Sequence, residues 1–155
     1  MCGVFLLFAL FEDGSLTSAP AEVIARCVAY KAGVVERDEK EQDERRLLNL
    51  GHTVGHGIEA ASHFSVSHGN AVAIGMAIVA RASKCLDAER IIACLERFGL
   101  PVTTDISVDE ISYHALSDKK RSGSTLNLIV PTAIGSCIIH PIAVSDLQFF
   151  IEAGL

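Results

Sequence analysis

The stretch LLNLGHTVGH, residues 47–56, places two histidines four residues apart among leucines and glycines. Its apolar residues recur at helical spacing, which predicts an amphipathic helix over about residues 45–62. One face of that helix would carry polar side chains, namely Arg45, Asn49, His52, His56 and Glu59. The opposite face would carry Leu47, Leu50, Val54, Ile58 and Ala61.

The composition of this polar face is unusual for a helix that simply faces water. On amphipathicity alone a solvated face is the simpler interpretation, but such faces are normally rich in lysine, glutamate and glutamine. Planar side chains of arginine, asparagine and histidine suit directed recognition better. Gly51, Gly55 and Gly57 would each cost roughly 1 kcal/mol relative to alanine inside a helix. We therefore expect a closely packed neighbour or a ligand beside the histidines.

Histidines at positions i and i+4 can share a metal ion, or one can be a ligand and the other an acid or base. Thr53 stands where the HExxH zinc proteases have their glutamate, so that class is not favoured. His68 opens the apolar run HGNAVAIGMAIVARASKCL, which predicts a buried core helix, and it is a candidate for a further ligand.

Cations that could form an anion pocket near these histidines are Lys31, Arg45 and the pair Lys119–Lys120. For the lysine pair, a solvated turn is at least as consistent with the spacing.

The rest of the chain predicts a mainly helical domain with a small hairpin. Pro20 opens a helix over about residues 19–36, and a charged, solvated connection follows over residues 36–46. Asp87 is expected to cap AERIIACLERF, while SVDE (residues 107–110) and SDLQ (residues 145–148) have capping-box spacing. TLNLIVP and SCIIHP flank a glycine turn and predict two paired strands.

Composition narrows the class of protein. A chain of 155 residues, half of them apolar, is long enough for one domain with a sizeable core. A net charge of −6 without a basic block argues against a nucleic-acid or anionic-membrane partner. Five scattered cysteines without a CxxC pair favour a reducing compartment, so we expect a cytoplasmic protein. The apolar run GVFLLFALF, residues 3–11, is too short to span a bilayer and predicts a packing surface.

Three strings resemble a known family. RRLLNLGHTVGHGIE, HGNAVAIGM and DKK followed by GSTLNLIVPTAIG are similar to the C-terminal domain of 3-dehydroquinate synthase, from about Pro20 to the end of the chain. The resemblance implies a helical metal- and substrate-binding domain over residues 19–155. Residues 1–18 would be an apolar segment left from the interdomain region. The α/β NAD-binding domain that precedes this region in the family is absent from this sequence.

The resemblance also implies an activity. The family converts 3-deoxy-D-arabino-heptulosonate 7-phosphate into 3-dehydroquinate and phosphate in the shikimate pathway of aromatic amino acid biosynthesis, with NAD and a divalent metal, zinc or cobalt. By position, His52 and His68 would bind the metal, and His56 would be the acid–base residue. Four further groups would contact the substrate: Arg45, Asn49 and a lysine of the Lys119–Lys120 pair would hold its carboxylate, and Lys31 would lie beside the substrate and metal.

This chain departs from the family in two ways near the metal. The family's third ligand is a glutamate in an upstream AEVIKYG-like motif, which does not occur here, and Glu22 in AEVIARCVAYKA is not assigned to that role. Asn70 replaces an acidic residue of the HGEAVAIGM motif. We therefore expect the chain to be inactive alone and to work as a homo-oligomer or with an NAD-binding half.

Three alternatives stay open at this stage. Within enzymes, they are a related cyclase such as a 2-deoxy-scyllo-inosose synthase, and the metal domain of a polyol dehydrogenase. The third is a non-catalytic metal-binding or interaction fragment.

Overall fold

A computed structural model describes residues 2–117 and 123–155 as a helical fold with one antiparallel hairpin. The α-helices are α1 (Cys2–Glu12), α2 (Ser15–Ser18), α3 (Pro20–Arg37), α4 (His52–Ala61), α5 (His68–Ala82), α6 (Ala88–Arg97), α7 (Val108–Ser117) and α8 (Leu147–Glu152). Short 3-10 helices cover Glu44–Asn49 and Val144–Asp146. The strands are β1 (Thr125–Ala133) and β2 (Ser136–Ala143). The predicted fold class, mainly helical with a small hairpin, is confirmed.

Helix α5 is the centre of the core, as its uniformly apolar sequence predicts. Residues 71–80 are buried with the single exception of Met76. The helix contacts α4, α6, α8 and β1. Because it is covered on nearly every side, it needs no polar face.

The predicted close approach of a neighbour to the glycines of α4 is confirmed. This helix packs between α5 and α7, and its Val54 and Ile58 are fully buried. A Cβ atom built on Gly57 would lie only 2.5 Å from the carbonyl oxygen of Ile111 in α7. On the other side, a Cβ atom on Gly55 would lie 3.0 Å from the Cα atom of Val72 in α5.

The prediction of one continuous helix over residues 45–62 is wrong. Residues Glu44–Asn49 form a 3-10 helix, Gly51 takes a left-handed conformation with φ of +77°, and the α-helix begins at His52. The tertiary contacts explain the break, because a Cβ atom on Gly51 would lie 2.6 Å from the backbone nitrogen of Met76. The chain therefore turns at the point where its backbone meets α5.

The charged connection after α3 is more ordered than a solvated link. The carboxylate of Asp38 accepts hydrogen bonds from the backbone N–H groups of Gln42, Asp43 and Arg45. These bonds, that of Gln42 foremost, hold the pKa of Asp38 below its usual range. They tie the start of the 3-10 helix to the end of α3.

Helix α3 confirms its predicted range within one residue at each end, and Pro20 lies in its first turn. Its predicted apolar face is only partly covered. Val23 and Val34 are 1% exposed, whereas Ile24 and Val28 are 58% and 62% exposed.

The apolar N-terminal run forms α1, which lies against α6. Phe11 contacts Phe98 edge to face with ring centroids 6.0 Å apart, and Glu12 pairs with Arg90 at 2.8 Å. These contacts agree with the predicted packing role, although Leu6 is 59% exposed. Among the helices of the described residues, none combines the length and hydropathy needed to cross a membrane.

The three predicted helix caps differ in whether the structure shows the capping hydrogen bond. Ser107 and Glu110 bond to each other at the start of α7, as the SVDE motif predicts. Asp87 precedes α6 but makes no capping bond; its carboxylate accepts from Arg90 and from the backbone of Ile134 beyond β1. The SDLQ motif spans the start of α8, but no side chain caps that helix.

Candidate functional site

The candidate site lies where the start and middle of α4 meet the start of α5. His52 opens α4, His56 follows one turn later, and His68 is the first residue of α5. Their ring centroids are 5.7 Å apart for His52 and His56, and 5.6 Å for each pair that includes His68. We call these three residues, together with Glu59, the histidine cluster.

A short turn between the helices brings His68 to α4. His63 and Phe64 both have positive φ values, +51° and +60°, a conformation uncommon for residues other than glycine. The side chain of Ser67 then caps α5 by accepting a hydrogen bond from the backbone N–H of Asn70. The reversal is therefore sharp, and His68 lies beside the middle of α4.

Hydrogen bonds hold two of the imidazole rings in position. Nδ1 of His68 lies 3.1 Å from Oε2 of Glu59, and Nδ1 of His52 lies 3.2 Å from the carbonyl oxygen of Leu50. The side chain of His68 is 53% exposed and that of Glu59 is 22% exposed. The cluster is thus ordered by protein contacts yet reachable by a ligand.

The donor atoms of this cluster suit a divalent metal. One atom each from His56, Glu59 and His68 all lie within 4.8 Å of one another. Imidazole nitrogen and carboxylate oxygen are common ligands of zinc and are also suitable for other divalent metals. The sequence analysis placed Glu59 on the polar face but gave it no role. Its position three residues after His56, about one helical turn away, could have indicated that it lies beside the histidines.

Arg45 and Asn49 do not continue the histidine face as the ideal helix predicts. Nη1 of Arg45 donates to the carbonyl oxygen of Glu39 at 2.8 Å, and Nδ2 of Asn49 donates to Oε1 of Glu41 at 2.6 Å. The break at Gly51 removes the regular spacing that would have aligned the two groups. Both side chains contact the turn that follows α3.

Lys31 is exposed on α3, and Lys119 and Lys120 lie outside the described residues. Asn70 is half-buried in the first turn of α5, two residues after His68.

An apolar cavity of about 480 Å³ lies apart from the histidine cluster, between α1, α3, α5, α6 and the hairpin. Phe8, Val34, Met76 and Cys137 are among the residues that line it. Burial raises the pKa of the Cys137 thiol to about 11, so this sulfur is protonated at neutral pH. The cavity offers little to bind a polar substrate.

Comparison with known proteins identifies the family. The family model for the C-terminal domain of 3-dehydroquinate synthase matches residues 9–121, which include all four residues of the histidine cluster. The chain belongs to this family. The resemblance inferred from the sequence strings is confirmed, and the chain is a 3-dehydroquinate synthase-like C-terminal domain.

Solved structures of sugar-phosphate cyclases are similar to this domain. A 2-epi-5-epi-valiolone synthase from Streptomyces hygroscopicus subsp. jinggangensis, with NAD+ and Zn2+ bound, is 26% identical with a TM-score of 0.76. The match covers 97% of this chain and 44% of that protein.

Two structures of 2-deoxy-scyllo-inosose synthase have the same fold. One is 24% identical with a TM-score of 0.70, and the match covers 39% of it. The other, in complex with carbaglucose-6-phosphate, NAD+ and Co2+, is 23% identical with a TM-score of 0.72, and the match covers 40% of it. Each match covers 86% of this chain, which thus spans well under half the length of the solved cyclases.

Proposed function

We propose that this chain is the metal- and substrate-binding part of a sugar-phosphate cyclase, and that it acts as a 3-dehydroquinate synthase. The observation that carries the proposal is the convergence of His52, His56 and His68 at one accessible place within the segment that matches the family. The substrate would be 3-deoxy-D-arabino-heptulosonate 7-phosphate, and the products 3-dehydroquinate and phosphate, in the shikimate pathway.

His52 and His68 would bind the divalent metal, as the family resemblance implies. Nδ1 of His52 faces the carbonyl oxygen of Leu50, which leaves Nε2 as the nitrogen for a metal. A hydrogen bond at one ring nitrogen commonly fixes which nitrogen coordinates. The metal would supply Lewis-acid activation of substrate oxygens.

His56 would move the proton at the reacting hydroxyl. It lies one turn after His52 on the same helix, and an imidazole can accept or give a proton near neutral pH. Arg45, Asn49 and a lysine of the Lys119–Lys120 pair would hold the substrate carboxylate, with Lys31 beside the substrate. Arg45 and Asn49 would exchange part of their present bonding to the turn after α3 for substrate contacts.

The oxidation and reduction steps need NAD, and we assign no residue of this chain to that cofactor. An NAD-binding α/β half, which precedes this region in the family, would supply it. We expect the chain to be inactive until it meets that half.

A second candidate is a cyclase that acts on a substrate without a carboxylate, because the similar solved structures are inosose and valiolone synthases. The two candidates differ in whether the site needs a carboxylate-binding arginine.

The test combines the chain with the separately produced NAD-binding half of a 3-dehydroquinate synthase, NAD and zinc. We expect phosphate release from the heptulosonate phosphate, lost in His52→Ala and reduced at least tenfold in Arg45→Ala. Arg46→Ala, one residue further along the same 3-10 helix, is the matched control and should retain activity.

The results distinguish the two candidates from each other and from a non-catalytic role. Binding of carbaglucose-6-phosphate in preference to the heptulosonate phosphate, with no effect of Arg45→Ala, would favour the second candidate. If no phosphate is released and neither compound binds, the enzyme assignment fails and a non-catalytic role remains.

A further inference from the structure

We propose that Glu59 is a positioning residue: its carboxylate fixes the tautomer and the orientation of the His68 ring, so that Nε2 of His68 is the nitrogen offered to the metal. Glu59 itself stays outside the coordination sphere. The inference rests on the metal site of the proposed function, in which His52 and His68 are the ligands. It gives a role to a residue to which the family resemblance assigns none.

The hydrogen bond between the two side chains determines which ring nitrogen carries the proton. Nδ1 of His68 lies 3.1 Å from Oε2 of Glu59, a normal hydrogen-bond distance. An ionised carboxylate can only accept, so the proton of this bond belongs to Nδ1. A neutral imidazole protonated at Nδ1 has its free lone pair on Nε2. The bond therefore leaves Nε2 of His68 as the nitrogen for a metal.

His52 is held in the same way by a different acceptor. Its Nδ1 lies 3.2 Å from the carbonyl oxygen of Leu50, which can likewise only accept. The ring centroids of His52 and His68 are 5.6 Å apart. Two imidazoles on one tetrahedral zinc have centroids roughly 5 Å apart, since each nitrogen lies about 2.1 Å from the ion. The two hydrogen bonds thus prepare both rings to bind one ion through Nε2.

The backbone of Glu59 is a firm support for this bond. Its neighbour Ile58 is fully buried in the core. The carbonyl oxygen of Glu59 accepts hydrogen bonds from Oγ of Ser62 and from the backbone N–H of Phe64, each at 2.9 Å. The side chain of Glu59 is 22% exposed, whereas that of His68 is 53% exposed. The less exposed carboxylate therefore restrains the more exposed ring, and the loss of rotamer freedom on metal binding is smaller.

The competing interpretation is an ion pair that only stabilises the junction of α4 and α5, without any effect on metal binding. Two substitutions separate these roles. Glu59→Ala removes the acceptor, whereas Glu59→Gln keeps an oxygen that can accept from Nδ1 but removes the charge. Both retain the backbone hydrogen bonds of residue 59 and are compatible with a helix, so we expect the fold to persist, as circular dichroism will verify.

The first experiment reads the tautomers of the metal-free 155-residue chain by NMR of its imidazole nitrogens. It is recorded at about pH 8, above the ordinary histidine pKa of about 6.5. We expect His68 to carry its proton on Nδ1 in the parent and in Glu59→Gln, and mainly on Nε2 in Glu59→Ala. His52 is the internal control and should keep its proton on Nδ1 in every variant, because its bond to Leu50 is untouched.

The second experiment titrates the same proteins with zinc by calorimetry. We expect Glu59→Ala to weaken zinc binding by roughly 10- to 100-fold, the usual effect of losing a partner that orients a metal-binding histidine. Glu59→Gln should stay within about fivefold of the parent, because the orienting bond persists. Glu89→Ala, in the first turn of α6, removes the same charge away from the cluster and should bind zinc as the parent does.

The possible results have distinct meanings. If His68 keeps its proton on Nδ1 in Glu59→Ala, or if that variant binds zinc as tightly as the parent, the inference is wrong and the proposed function stands. Equal losses of zinc affinity in Glu59→Gln and Glu59→Ala would also overturn it, because charge and not orientation would then matter. If the parent binds no zinc, the inference and the proposed metal site fail together. If Glu59 acts as expected but the combined halves release no phosphate, only the proposed function fails.

Discussion

At the scale of single residues, two serines near α7 differ in the hydrogen bonding of their hydroxyl groups. Ser107 exchanges hydrogen bonds with Glu110 at the helix start. Ser112 is 7% exposed, and its Oγ has no hydrogen-bond partner among the described residues. A buried hydroxyl without a partner loses its hydration and gains nothing in return.

We predict that Ser112→Ala leaves the free energy of unfolding unchanged or raises it by up to about 1 kcal/mol, because it removes a buried polar atom. Ser107→Ala should lower the same quantity by about 1 kcal/mol through loss of the helix cap. Urea denaturation of both variants checks this pair. A clear loss of stability in Ser112→Ala would mean that its hydroxyl has a partner, such as a buried water.

At the scale of elements, α4 is positioned by direct contact of its backbone with two neighbours. Gly55 faces α5 and Gly57 faces α7, so both contacts depend on the absence of a side chain. The same placement brings His52, His56 and Glu59 beside His68 at the start of α5. Stability of the α4 packing and geometry of the candidate site are therefore linked.

We predict that Gly57→Ala lowers the free energy of unfolding by about 1–3 kcal/mol, because the added methyl group overlaps the carbonyl oxygen of Ile111. Gly69→Ala is the matched control, since a Cβ atom there would meet nothing within 4 Å and alanine is the better helix former. Thermal and urea unfolding of the two variants test the difference. Equal stability would show that α4 and α7 can separate without loss.

At the scale of the whole molecule, Asp87 joins parts of the chain that are distant in sequence. Its carboxylate accepts a hydrogen bond of 2.9 Å from the backbone N–H of Ile134 at the hairpin turn, and another from Arg90 in α6. The first of these is the main reason that the pKa of Asp87 is lowered from its ordinary value. The hairpin is thereby attached to the helical layer.

This lowered pKa predicts acid sensitivity with a definite sign. The ionised carboxylate stabilises the fold fully above its unfolded pKa of about 3.9, and this contribution is lost as pH falls through the lower folded pKa. Asp87→Asn should therefore reduce the melting temperature at pH 7 and flatten its decline below about pH 4. Asp105→Asn, at an exposed position before α7, is the control and should keep the parent's pH profile. If the melting temperature of Asp87→Asn falls with pH as steeply as that of the parent, the stabilising role of the Asp87 carboxylate is wrong.

Features that depend only on neighbours in the chain could be predicted from the sequence. Apolar periodicity located α3 and α5, the SVDE motif located the start of α7, and β-branched runs around a glycine located the hairpin. The four-residue spacing of His52 and His56 also sufficed to place them one turn apart, because that distance follows from helix geometry.

Other features could not be predicted locally, because contacts between distant parts of the chain overrule local preferences. Periodicity extended the helix through Gly51, but the approach of α5 at Met76 turns the chain there and separates Arg45 and Asn49 from the regular histidine face. Asp87 had the position of a cap, yet it bonds to Ile134, which lies 47 residues away. The meeting of Glu59 with His68 likewise depends on how α4 and α5 reverse against each other. Such contacts join groups by packing, and no local periodicity encodes them.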